Sequence, residues 1–221
     1  MPPPPDADPA PTVASLPPVN KPPAPENRHA EPSIPPGARA IWVEEGLASW
    51  YGPPYHNRRG SNGEIYDMNG MTAAHRTLPL GSVVRVTNVK TGHTALLRIT
   101  DRGPFVPGRV IDLSLAAAKQ VDVWLPGTAK VRIEVMQAPS SLVVGGRWAV
   151  QMGAFKHEGS ADQLVDHLAR RYQTAKVTSF PSPIGDWWVR VRVDHDDKHK
   201  AEEVARDTHT PEGSIFLVRL D

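Results

Sequence analysis

TAKVRIEVMQ (128–137) alternates well between apolar and polar. Val131, Ile133 and Val135 fall on one side and Arg132 and Glu134 on the other. That period of two predicts a strand with one face in a core. The run SVVRVTNVKTGHTALLRIT (82–100) holds two β-branched stretches around Lys90, Thr91 and Gly92, and predicts a hairpin. Between these segments only LSLAAAKQV (113–121) has a helical pattern, with Ser114 as its N-cap. Many short strands and one short helix over residues 41–139 predict a small β-barrel.

The pattern changes after APSSLVVGG (138–146), which reads as a connection, with residues 140–146 as the linker proper. RWAVQMGAF (147–155) reads as a strand. Ser160 followed by Gln163 has the spacing of a capping box, and Leu164, Val165, Leu168 and Tyr172 then share one helical face. AKVTSF and DWWVRVRV read as strands, KAEEVARDT as a second helix and SIFLVRL as a last strand. The order β-α-β-β-α-β over residues 147–221 predicts an α+β sandwich of the ferredoxin or ribonucleoprotein type.

Composition adds a third segment. Fourteen of the 24 prolines lie in the first 36 residues, with almost no large apolar side chains. Residues 1–40 are therefore expected to form an extended, disordered tether. Residues 41–139 carry 11 Lys and Arg against 8 Asp and Glu, and residues 140–221 carry 11 against 12. This balance suits an uncharged or mildly anionic polymer better than DNA, so no nucleic-acid partner is expected. The chain has no cysteine, which excludes disulfides, thiol nucleophiles and thiolate metal sites.

Polar chemistry concentrates in three stretches: GLASWYGPPYHNRRGSNGEIYDM, MTAAHRTLPLG and RITDRGPF. Trp50, Tyr51 and Tyr55 beside Arg58 would suit a sugar-binding cleft, because flat apolar faces stack on pyranose rings. The same aromatics would equally serve a core. Glu64, His75 and Asp101 could each be an ordinary surface or packing residue. Together they fit glycosidic cleavage, which needs an acid to protonate the leaving oxygen and a second polar group to manage the oxocarbenium charge. Arg102 is expected to point away from Asp101, toward Asp112 or substrate. His195 and His199 have the spacing of a metal pair, but no third ligand is evident and no metal is expected. A hydrolase elbow, a P-loop and a dinucleotide fingerprint are all missing, so no cofactor is expected.

The runs ASWYG, NGE, AAHRTLP, DRGPF and RVIDLS, in that order, resemble the rare lipoprotein A (RlpA) family over residues 46–136. The resemblance implies a six-stranded double-psi β-barrel with Asp101, Glu64 and His75 as active-site residues. It also implies lytic transglycosylase action between N-acetylmuramic acid and N-acetylglucosamine, leaving a 1,6-anhydro end. WAVQMGAF…WWVRVRV resembles a SPOR domain, which implies binding to peptidoglycan glycan strands stripped of stem peptides. Gln151, Trp187 and Trp188, with Arg102, are the further expected substrate contacts. The stretch VDHDD stands where that domain usually carries Gly-Pro-Phe. Family members are generally exported lipoproteins, implying a periplasmic, septal protein on the outer membrane, with division-site partners. The anchoring cysteine is missing from this chain, so membrane contact is expected only through an anchor trimmed away. A non-catalytic, expansin-like glycan binder or division-site scaffold is the alternative.

Overall fold

The computed structural model describes residues 31–182, 185–210 and 213–221. The expected tether falls mostly on residues 1–30, outside the described residues.

The first half consists of β1 (Trp42–Trp50), β2 (Thr72–His75), β3 (Val83–Asn88), β4 (Thr94–Asp101), β5 (Arg109–Leu113), α1 (Leu115–Gln120) and β6 (Ala129–Gln137). Its six strands close into a double-psi barrel in the order β1-β5-β2-β4-β3-β6. β1 with β5 and β2 with β4 are parallel, and the other pairs are antiparallel. Val131, Ile133 and Val135 point into the barrel with Leu97, Ile99, Ile111 and Leu113, all fully buried. The 90–92 turn is drawn tight by Asn88, whose Oδ1 accepts from the backbone N–H of Lys90 and of Thr91. Ser114 caps α1, its Oγ accepting from the Ala117 N–H at 3.2 Å.

The second half consists of β7 (Trp148–Phe155), α2 (Glu158–Arg171), β8 (Lys176–Pro181), β9 (Trp187–Arg192), α3 (Lys198–Asp207) and β10 (Ser214–Arg219). Its antiparallel sheet runs β10-β7-β9-β8, with α2 and α3 on one face. Leu168 and Ala161 of α2 are buried against Val150, Met152, Val189 and Val191. The helix starts two residues before the expected Ser160. His157 occupies its N-cap without a side-chain bond, and Glu158 puts a carboxylate in the first turn, which the helix dipole favours.

The connection between the halves is held against the second sheet. The guanidinium of Arg219, 1% exposed, donates to the Ser141 carbonyl at 2.8 Å and to the Ser140 hydroxyl at 3.0 Å. The Trp148 indole N–H donates to the Gly145 carbonyl at 3.0 Å. Gly146 has φ +83° and sits so close to Arg219 that a Cβ would lie 2.8 Å from its guanidinium. Only glycine meets both demands.

Strand β10 also bonds to the barrel. The Arg219 N–H donates to the Arg76 carbonyl at 3.0 Å, and the Leu80 N–H donates to the Asp221 carbonyl at 3.1 Å.

Candidate active site

The barrel's strand pairings bring distant polar residues into one row. Ser49 pairs with Asp112 between β1 and β5, Asp112 with Ala74 between β5 and β2, and Ala74 with Asp101 between β2 and β4. Residues paired across a sheet project to the same face, so Asp112 and Asp101 flank Ala74. Ala74 itself is 4% exposed and packs against Tyr51 and Tyr66. Behind it lies an aromatic cluster: Tyr51 stacks on Tyr66 with centroids 4.2 Å apart, and Tyr55 meets Tyr51 edge-on at 5.8 Å.

Asp101 ends β4, and one of its oxygens is anchored. Oδ1 accepts from the Ser61 N–H at 2.9 Å, the Ser61 hydroxyl at 2.5 Å and the Arg102 N–H at 2.8 Å. Oδ2 has no hydrogen-bond partner among the described residues. The loop that anchors Asp101 also carries Glu64. Asn62, next to Ser61, donates its side-chain amide to Glu64 Oε2 and accepts the Glu64 N–H, both at 3.0 Å. The Asn62 N–H donates to the Thr100 carbonyl at 3.2 Å, tying the loop to the end of β4. Two consecutive residues of SNGE thus serve the two expected acids.

Asp112 was not singled out as a site residue from the sequence. Burial pushes its carboxyl upward; the Ser49 hydrogen bond and the Arg109 and Arg76 charges oppose this, and Asp101 adds to it. Ser49 Oγ donates to Asp112 Oδ1 at 2.5 Å, and Arg109 stands 3.6 Å from Oδ2. The sequence signal available for it was the RVIDLS run, where an acid interrupts an otherwise apolar strand.

Arg102 turns away from the Asp101 carboxylate. It is 8% exposed and donates to three carbonyls: His75 at 3.0 Å, Leu78 at 2.6 Å and Asp221 at 2.6 Å. Burial pushes its pKa down to about 10, which leaves it charged at neutral pH. The expected direction away from Asp101 holds, but its partners are backbone oxygens rather than Asp112. This is a clamp on the loop, not a contact open to substrate.

His75, 3% exposed, touches neither expected acid. Its Nδ1 accepts from the N–H groups of Thr77 and Leu78 at 3.2 and 3.1 Å, which fixes the proton on Nε2. Nε2 then donates to Glu44 at 3.1 Å. Burial holds the imidazole below its ordinary 6.5, with Glu44 opposing. The unfolded chain therefore takes up this proton first as the pH falls. Stability conferred by neutral His75 is expected to be lost below about pH 6.5, by at most about 1.4 kcal/mol per pH unit. Urea midpoints at pH 7.5 and 5.5 check this: His75→Gln should flatten the slope, and parallel slopes would contradict it.

The remaining expected contacts are dispersed. Trp50 is half-buried against the barrel core, and Tyr51 is buried in the aromatic cluster rather than offered to solvent. Tyr55 is half-buried and Arg58 exposed at the mouth of the same loop. Trp187 packs on the helix side of the second sheet. Trp188 takes the other face, where its ring meets Phe105 at 5.0 Å. Gln151 is buried and accepts from Arg190.

Residues 43–133 match the family described as lytic transglycolase, and residues 144–207 match the SPOR domain family. The chain is 40% identical over 159 residues to the endolytic peptidoglycan transglycosylase RlpA of Campylobacter jejuni, covering 61% of this chain and 56% of that one. With the protein of the same description from Helicobacter pylori strain 26695 it shares 42% over 152 residues, covering 56% and 48%. With that of Vibrio cholerae it shares 57% over 95 residues, covering 43% and 36%. The chain thus spans about half the length of the first two of these relatives. Among solved structures, the Streptomyces papain inhibitor aligns with a TM-score of 0.36 at 20% identity, covering 48% of this chain and all of that one. That likeness is too slight to carry any functional statement.

Proposed function

From the premise that the chain is an RlpA-like protein, a lytic transglycolase-family barrel joined to a SPOR domain, we propose that it cleaves peptidoglycan glycan strands endolytically. The bond broken would be the β-1,4 link from N-acetylmuramic acid to N-acetylglucosamine, and the product a 1,6-anhydromuramoyl end. The observation that carries this reading is the asymmetry of Asp101. One oxygen is anchored by three donors, and the other has no hydrogen-bond partner among the described residues, on a row that also bears Asp112.

In the proposed reaction Oδ2 of Asp101 gives its proton to the glycosidic oxygen as the bond to C1 breaks. The C6 hydroxyl of the same muramoyl residue then attacks C1, and Asp101 takes the hydroxyl proton. No water is consumed and the acid is restored. Glu64, carried by the same 60–64 loop that anchors Asp101, stabilises positive charge at C1. His75 acts at one remove: its ring holds the 77–78 backbone and its carbonyl takes Arg102, so it positions the turn that carries Asp101.

The SPOR domain supports targeting to septal peptidoglycan, and strands lacking stem peptides are its proposed ligand. A periplasmic location and outer-membrane lipoprotein anchoring in the longer protein belong to the same proposal, testable by fractionation. The cleavage test incubates the protein with sacculi treated to remove stem peptides and analyses soluble products by mass spectrometry. Anhydro-muramoyl ends are expected. Reducing ends would indicate a hydrolase, and retained binding without products would favour an expansin-like binder.

A further inference from the structure

The turn that leaves Asp101 lies against the row of acids. A Cβ at Gly103 would stand 3.7 Å from the Ala74 methyl and 3.9 Å from Asp112 Oδ2. Any shift of this turn therefore moves Asp101 relative to Asp112. Arg102 fixes its near end through the carbonyls of His75, Leu78 and Asp221. Arg76 fixes its middle, where Nη1 donates to the Pro104 carbonyl at 2.9 Å and to the Arg109 carbonyl at 2.7 Å. Past Phe105 the chain is exposed at Val106, Pro107 and Gly108. The hold on the far end of the turn thus falls to Phe105.

Phe105 is gripped by the other half of the chain. Its ring meets Trp188 of β9 at 5.0 Å and Phe216 of β10 at 5.8 Å between centroids, at interplanar angles of 58° and 57°. Tilted contacts of this kind are favourable between aromatic rings. Gly153, paired with Trp188, leaves room for the seat, since a Cβ there would come within 2.6 Å of the indole. Arg76, which holds Pro104, also lies over the Phe216 ring at 5.4 Å, and its carbonyl accepts the Arg219 N–H at 3.0 Å. The Asp101 turn and the second sheet are therefore joined through Phe105 and Arg76 together.

The cleavage reaction above uses Asp101 Oδ2 twice, first as acid and then as base, and its rate depends steeply on where that atom stands. We propose that Phe105 is a positioning residue for this step. Seated between Trp188 and Phe216, it makes the second half of the chain part of the device that holds Asp101 for bond cleavage. Phe105 acts through the turn and touches neither substrate nor reacting atoms. The proposal rests on the cleavage reading, and adds that the second half serves the chemical step besides the targeting proposed for it.

The test uses the full chain and peptide-free strands, well below the Tm of every variant. Anhydro-end release is followed over a range of strand concentrations, which separates the saturating rate from the half-saturating concentration. Phe105→Ala should lower the saturating rate about tenfold to a hundredfold, the penalty for displacing a catalytic group by about 1 Å. The half-saturating concentration should stay unchanged. Phe216→Ala, a change in the other half, should lower the saturating rate in the same way but by less. The double variant should be no slower than Phe105→Ala, because a single contact carries both effects. Phe105→Tyr, which keeps the ring, should recover most of the rate. An unchanged saturating rate in Phe105→Ala would overturn the proposal. So would a raised half-saturating concentration at a normal saturating rate, which would make Phe105 a strand contact, and so would independent effects that multiply in the double variant. If Phe105→Ala does not fold, Phe216→Ala decides alone, and a normal saturating rate there overturns the proposal. Cleavage by the intact protein at a rate that neither variant moves defeats the positioning alone. Absence of cleavage by the intact protein defeats the cleavage reading, and the positioning with it.

Discussion

Replacing Asp101 by asparagine is expected to reduce the release of anhydro-muramoyl ends by about 10²–10⁴-fold, the usual worth of a positioned general acid and base. The substitution keeps the volume and the Oδ1 acceptor used by Ser61 and Arg102. It alters only Oδ2, the atom assigned to the proton. The fold should therefore be untouched, with thermal unfolding unchanged and binding to peptide-free strands retained. Product release from Asp101→Asn at the normal rate would remove Asp101 from the reaction. A large loss of thermal stability would mean that its anchoring, not its acidity, had been measured.

Arg102→Met is expected to do the reverse, with stability falling first. The variant leaves the carbonyls of His75, Leu78 and Asp221 without their shared donor, in a place where water enters poorly. Hydrogen bonds to charged groups and unsatisfied acceptors of this kind are worth roughly 1–3 kcal/mol each. A total loss of about 3 kcal/mol is expected, which lowers Tm by roughly 6–12 °C for a chain of this size. Because two of those carbonyls belong to the barrel and one follows β10, the variant should also loosen the second sheet from the barrel. Faster cleavage of the 138–147 connection by protease reads this out. Arg102→Lys should recover little, since one ammonium cannot span three fixed acceptors. Wild-type stability in Arg102→Met would refute the clamp.

The parts of this structure that depend on near neighbours were legible in the sequence. The alternation of Val131, Ile133 and Val135, the 90–92 turn and the Ser114 cap each follow from residues a few positions apart. The order of elements in the second half was legible for the same reason. The resemblance pointed to Asp101, Glu64 and His75, but not to what each touches. Asp112 meets Ser49 and Ala74 only because β5 lies between β1 and β2, pairings that join residues 38 to 63 positions apart. His75 finds Glu44 31 residues upstream. Arg102 is directed by the carbonyls of His75 and Leu78 and by that of Asp221, which belongs to the other half of the chain. The start of α2 was misjudged on local grounds, because Ser160 offered a cap while Glu158 already satisfied the first turn.

The fastened connection bears on how capture of a strand leads to cutting. A flexible joint would let the barrel explore a large volume around a captured strand, and the local supply of cleavable bonds would fall as that volume grew. Arg219, Trp148 and Gly146 withhold that freedom by holding residues 140–146 in place. A strand resting on the second sheet would therefore meet Asp101 at a high effective concentration and in a single register. The cost is that any bond outside that register is out of reach until the strand lets go and lands again.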